Sequence, residues 1–294
     1  MNRLGIRCAA VAIVATIAGG ILVSGQTARP EPRRQFGASI TGAFEGWFYG
    51  DDGARNFLVG YYNRNSQQEI DIPVGPDNRL EPGGPDLGQP THLLPGRQWG
   101  MFVVPAPKDF KPTDSYTWTI VANGQSTSIP LRLHTDYVMS PFKEIAVNNT
   151  PPTIRFEPNA KGAQGPVATL ATVPTTRTTA VSTPLPLPLW AVDDMKYTSG
   201  TNAPMSTPRP PVMLRWSKYR GPGTVTFDKQ RPEFEKAEGE GNNTTFTGKA
   251  TATARFSEPG DYVLHVTAND YSGDGGGGFG CCWTTALVKV TVNP

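Results

Sequence analysis

The sequence predicts an all-β protein made of two antiparallel β-sandwiches, and three observations carry that expectation. With 32 glycines and 29 prolines in 294 residues, turns are too frequent for a helical bundle and too few for a wholly disordered chain. Runs rich in β-branched and aromatic residues recur at short intervals between turn signals. The last two runs alternate: Tyr262, Leu264, Val266 and Ala268 share one face against His265 and Thr267, while Ala286, Val288, Val290 and Val292 oppose Leu287, Lys289 and Thr291. Each of these strands is expected to have one buried side.

The first element is a secretory signal over residues 1–25. Arg3 and Arg7 form a basic start, Ala9 to Val23 an apolar stretch, and cleavage is expected after Gly25. The competing reading, an uncleaved anchor, needs about 20 apolar residues, more than this stretch has. No cysteine stands directly after the cut, where Gln26 lies, so a lipoprotein anchor is unsupported. Cleavage removes two basic residues and no acid from a chain with 27 Lys plus Arg and 25 Asp plus Glu, which leaves the mature protein near neutral. The near-neutral charge and the lack of a basic run argue against nucleic-acid and anionic-membrane partners.

A Pro/Arg-rich lead spans 26–35, and the first sandwich is expected over 36–140. Its strands are expected at Ile40 to Tyr49, Asn56 to Asn63, Gln68 to Pro73, Gln98 to Val104, Ser115 to Ala122 and Gln125 to Leu133, the last two joined by an Asn123-Gly124 hairpin turn. Residues 141–152 read as a linker, because Pro151 and Pro152 force extended backbone and remove two donors. The second sandwich is expected over 153–294, with strands at Thr153 to Phe156, Val167 to Val173, Leu185 to Val192, Val212 to Tyr219, Gly223 to Phe227, Lys249 to Phe256, Asp261 to Asn269 and Thr284 to Val292.

The stretch Phe256-Ser-Glu-Pro-Gly-Asp-Tyr-Val-Leu-His-Val-Thr-Ala-Asn-Asp270 resembles the second-last strand of bacterial immunoglobulin-like, PKD-like and cadherin-like domains, and Asn149-Thr-Pro-Pro-Thr-Ile154 is similar to their opening. The resemblance covers about residues 148 to 294 and implies that Tyr262 is a tyrosine-corner residue whose hydroxyl bonds backbone a few residues upstream. The insertion from Lys196 to Pro211 and the Gly/Cys loop are longer than such a domain needs. Residues 36 to 140 match no family by motif.

In that fold the loop after the second strand and the loop before the last lie at one end, which would bring Asp193 and Asp194 near Asp270 and Asp274 as oxygen ligands for Ca²⁺. The competing reading is ordinary Asp/Gly turn chemistry. With Cys8 removed, Cys281 and Cys282 are the only thiols in an oxidising compartment. Adjacent Cα atoms lie about 3.8 Å apart across a trans peptide, below the usual disulfide range, so three outcomes stay open: a vicinal disulfide in a distorted turn, thiols pointing to opposite faces, or intermolecular or soft-metal bonds. A vicinal ring beside Phe279 and Trp283 would form an apolar contact plate for a ligand; alternatively Trp283 packs over the sandwich end.

Signals for catalysis are poor. His92, His134 and His265 lack metal-ligand spacing, His134 and Asp136 have no third partner, and the Gly275 to Gly278 run lacks the helix and lysine of a phosphate cradle. The expectation is an exported, non-enzymatic adhesion, scaffold or ligand-binding protein of the periplasm or cell surface. It would meet a surface protein or glycan, with its working edge at the Asp/Gly/Cys loop. The alternative is a carbohydrate-binding protein or glycoside hydrolase using the aromatic first half (Phe44, Trp47, Phe48, Tyr49, Phe57, Tyr61, Tyr62, Trp99, Trp118), with Glu45 and Asp51 or Asp52 as its acid pair. Most of these aromatics are expected in the core, although Trp47-Phe48-Tyr49 must send at least one ring to the other side of its strand.

Overall fold

The computed structural model describes residues 34–144, 148–196, 210–236, 245–270 and 281–294. The signal segment, most of the lead, most of the Lys196 to Pro211 insertion and the glycine-rich run therefore lie outside the described residues. Arg33–Pro294 form one compact unit. Its described residues are all-β apart from one 3-10 turn at Thr135–Tyr137.

The first half contains β1 (Ile40–Tyr49), β2 (Arg55–Asn63), β3 (Ile70–Asp71), β4 (Asn78–Glu81), β5 (His92–Leu93), β6 (Gly96–Pro105), β7 (Tyr116–Ala122) and β8 (Gln125–Leu131). They form antiparallel sheets of order β1-β2-β6 and β4-β7-β8, with β3 and β5 as a small separate pair. The turn between β7 and β8 is Asn123-Gly124, whose φ angles of 50° and 74° are those a type I′ hairpin demands. Between the sheets lies a core in which Phe57, Val59 and Phe102 meet Leu80, Trp118 and Ile120. The Trp118 indole N–H donates to Asn78 Oδ1 at 3.0 Å, which satisfies its one polar atom.

The second half contains β9 (Thr153–Arg155), β10 (Thr175–Ala180), β11 (Leu185–Asp193), β12 (Val212–Arg220), β13 (Val225–Phe227), β14 (Glu235–Lys236), β15 (Phe246–Phe256), β16 (Gly260–Asp270) and β17 (Trp283–Asn293). One sheet runs β13-β15-β11-β9 with β14 beside β15, and the other runs β10-β17-β16-β12. Read in chain order, these are the A-B-E-D and C-F-G sheets of an immunoglobulin-like sandwich. Leu187, Leu189 and Ala191 of β11 close against Trp216, Leu264 and Val266 across its core. Tyr262 forms the expected corner: its hydroxyl donates to the Glu258 carbonyl at 2.9 Å and accepts from the Gly223 N–H at 3.0 Å.

Three expectations need correction. The strand expected at Val167 to Val173 is irregular backbone, bracketed by Pro166 and Pro174, and its Ala168 carbonyl accepts from Val103 N–H of the first half at 2.8 Å. The strand comes later, as the threonine-rich β10, and it runs parallel to β17 in an otherwise antiparallel sheet. Finally, β16 and β17 are not buried on one side alone. His265 is buried on the face expected to be open, Leu287 joins the first core together with Tyr219 and Ala168, and the first half supplies the cover. Arg220 fixes that junction by bonding both oxygens of Asp86, at 2.9 and 2.8 Å.

Candidate functional site

The best-defined polar site lies where β11 and β16 end and the chain enters β9. A β-strand delivers its last side chain wherever its ladder stops, and here the ladder Leu185–Asp193 against β15 and the ladder Val212–Asp270 between β12 and β16 stop at the same end. Asp193, Asp194 and Asp270 are thereby brought together, and Asp193 feels the charge of both others. Asp274 lies outside the described residues.

A fourth group joins them from the segment read as a linker. Asn149, 1% exposed, donates its amide N–H to Asp270 Oδ2 at 2.6 Å, and Thr150 donates to Asp194 Oδ2 through its backbone N–H at 3.0 Å and its hydroxyl at 2.9 Å. Pro151 and Pro152, buried next in line, hold this backbone extended so that it reaches the carboxylates. Sequence reasoning missed Asn149 as a site residue. The available signal was that an amide oxygen is as hard a ligand as a carboxylate, so the Asn preceding Thr-Pro-Pro belonged with the aspartates.

The site is rich in acceptors and short of donors. Asp193 is 3% exposed, and its Oδ2 accepts from the Met195 N–H at 2.8 Å. Burial, reinforced by Asp270 and Asp194, pushes its carboxyl up to about 7. Asp193 Oδ1, Asp194 Oδ1 and Asn149 Oδ1 are buried without a hydrogen-bond donor. Among the described residues no group of three or more His, Cys, Asp or Glu side chains is disposed to hold a metal ion. The cluster gathers three carboxylates and the Asn149 amide oxygen.

Cys281 and Cys282 form a vicinal disulfide across a cis peptide, with Cα atoms 3.1 Å apart. Of the three outcomes left open by the sequence, this is the one present. The contact plate is not: Cys281, Cys282 and Trp283 are 2%, 0% and 2% exposed, and Phe279 lies outside the described residues. The two sulfurs face the Asn149 carbonyl at 4.0 and 3.5 Å, while the Cys282 carbonyl accepts from the Asp270 N–H at 3.3 Å. The disulfide therefore backs the polar site from inside. Trp283 packs with Phe48, Leu58 and Val103 of the first half, because the outer face of β17 is covered there.

The acid pair of the hydrolase alternative is not assembled as expected. Asp51 and Asp52 line a cleft of about 440 Å³ with Phe48, Phe142 and Lys161. Glu45 is absent from that lining and is occupied elsewhere: it sits at a β-bulge of β1, 2.6 Å from Arg97, which stacks on Trp99 at 3.9 Å. Of the Trp47-Phe48-Tyr49 run, Trp47 joins the first core, Phe48 packs on Phe142 and Trp283, and Tyr49 is 57% exposed. Asp136 lies in the 3-10 turn, and His134 caps it by accepting from the Asp136 N–H. No described helix is long and apolar enough to cross a membrane.

No protein-family profile matches the chain, and no curated protein matches it. Among solved structures it is similar to domains 4 and 5 of the S-layer protein SbsC at 10% identity, over 87% of this chain and 98% of that one, with a TM-score of 0.24. It is also similar to the titin immunoglobulin tandem A164-A165 at 9% identity, over 87% and 99%, TM-score 0.23. Cadherin-like domains 1 to 4 of zebrafish RET align at 12% identity over 81% of this chain and 47% of that one, TM-score 0.27. Likenesses this slight assign no family, and the fold assignment rests on strand order and register.

Proposed function

We propose that this is an exported, non-enzymatic adhesion, scaffold or ligand-binding protein, and that a Ca²⁺ ion organises the end of its second sandwich. The compartment reading rests on the amino-terminal pattern, and the cation reading rests on one observation: Asp193, Asp194 and Asn149 each bury an oxygen for which the described residues offer no donor. Burying carboxylate oxygen without a counter-charge is expensive, and hard cations take six to eight oxygen ligands at about 2.3 to 2.6 Å. Asp270, which already holds Asn149, would complete the described part of the set, with Asp274 as the ligand expected from the sequence. Bound there, the ion would fasten the Asn149 to Pro152 segment to the second sandwich and stiffen the passage from one half to the other.

The test is thermal unfolding of the secreted protein in EDTA and in millimolar CaCl₂, alongside native intact mass. Calcium should raise Tm and add one ion per chain. Asn149→Ala and Asp270→Asn should each remove most of that rise while leaving the EDTA curve of a folded protein. An unchanged Tm together with a metal-free mass would end the cation reading.

A further inference from the structure

We propose that a polar notch between the two sandwiches is a second binding site, one that holds a neutral saccharide unit. The notch has a volume of about 350 Å³ and is walled by Glu69, Asp71 and His92 from the first half and by Ser217, Lys218 and Gln230 from the second. Small-ligand pockets typically enclose about 300–1,000 Å³. Most of this wall is polar, so its occupant is held by hydrogen bonds.

Lys218 is the group that calls for a ligand. It is 7% exposed, and its ammonium has one partner among the described residues, Asp71 Oδ1 at 3.0 Å. That same oxygen lies 3.0 Å from His92 Nδ1, whose other ring nitrogen is 3.2 Å from Glu69 Oε2. One carboxylate oxygen thus serves two donors, and two of the three N–H groups of the lysine are left over. Beside it Ser217, 5% exposed, also lines the notch. The lysine N–H groups left over and the Ser217 hydroxyl both line the notch, where they can donate to an occupant.

The charges around the notch select the ligand class. An anion would meet Glu69, Asp71 and Glu258, and a cation would meet Lys218. A neutral polyol meets neither penalty, because each hydroxyl can accept from Lys218 or Ser217 and donate to a carboxylate. Phe227, also in the wall, gives a sugar ring an apolar surface for its C–H face. The site is independent of the cation reading: Gly223 and Glu258 line it near the Gly260 end of β16, whereas Asp270 ends that strand at the other side.

The experiment is calorimetric titration of the full chain, in EDTA, with cellobiose, maltose, chitobiose and mannobiose, and with glucuronate and glucosamine as charged controls. At least one neutral disaccharide should bind, and Lys218→Met should weaken it about tenfold or more. Gln230→Ala, at an exposed position, should weaken binding too and keeps the question decidable where Lys218→Met does not fold. Absence of binding by every neutral sugar up to about 10 mM, tighter binding of a charged control, or unchanged affinity in Gln230→Ala would overturn the proposal.

Discussion

Two buried titratable residues pull the pH dependence of this protein in opposite directions. Burial holds the His265 imidazole neutral, moving it down from 6.5 to about 4, so between those values the unfolded chain takes up a proton that the folded chain refuses. Stability from this source falls as pH falls through that window, by up to about 1.4 kcal/mol per pH unit. Asp193, pushed up from 3.8 to about 7, does the reverse: the folded chain keeps a proton that the unfolded chain loses, and stability falls as pH rises. In EDTA the two slopes should largely cancel between about pH 4.5 and 6.5, so urea midpoints of the wild type should stay nearly level there. His265→Gln should then expose a midpoint that declines with rising pH; a level profile in that variant would refute the assignment. Tyr262→Phe is a simpler case. It leaves the Gly223 N–H without its acceptor and should cost about 1–3 kcal/mol in urea unfolding.

Elements were legible from the sequence where the hydrophobic pattern was local. The alternating runs around Tyr262 and Val288 and the Asn123-Gly124 hairpin were placed to within one or two residues, since each carries its own period or turn signal. The short β4, β5 and β14 lack any period, and β10, with Thr175, Thr176, Arg177, Thr178 and Thr179, hides a strand behind polar side chains because it is an edge whose stability comes from β17. Part of the polar site was legible in the same way: Asp193 and Asp270 follow from strand ends, whereas Asn149 becomes a partner only through tertiary approach. Close approach also explains Gly100 of β6. It has φ +47°, and a Cβ there would lie 2.6 Å from Trp283 Cζ2, so Gly100→Ala should destabilise by about 1–3 kcal/mol. A thermal melt unchanged from wild type would show that Trp283 yields more easily than this packing implies.

At the scale of the molecule, the two sandwiches share their boundary. Tyr219 and Leu287 belong by sequence to the second half and by packing to the core of the first, and Trp283 does the same beside Phe48 and Val103. A fragment spanning residues 153–294 should therefore bind a hydrophobic dye and melt below the full chain, since Tyr219, His265 and Leu287 would lose their cover. A dye-silent fragment with the Tm of the whole protein would show the halves to be energetically separate. The strand that bears most on this is β17: it is the last of the series, yet it lies between β10 and β16 and feeds both cores. The second core, which takes Ala286, Val288, Val290 and Val292 from β17, cannot close around a nascent chain until those residues emerge, and the first core lacks Leu287 until then, so assembly waits on contacts distant in sequence, which should slow it. During that wait the chain would expose apolar surface that a holding chaperone would have to shield.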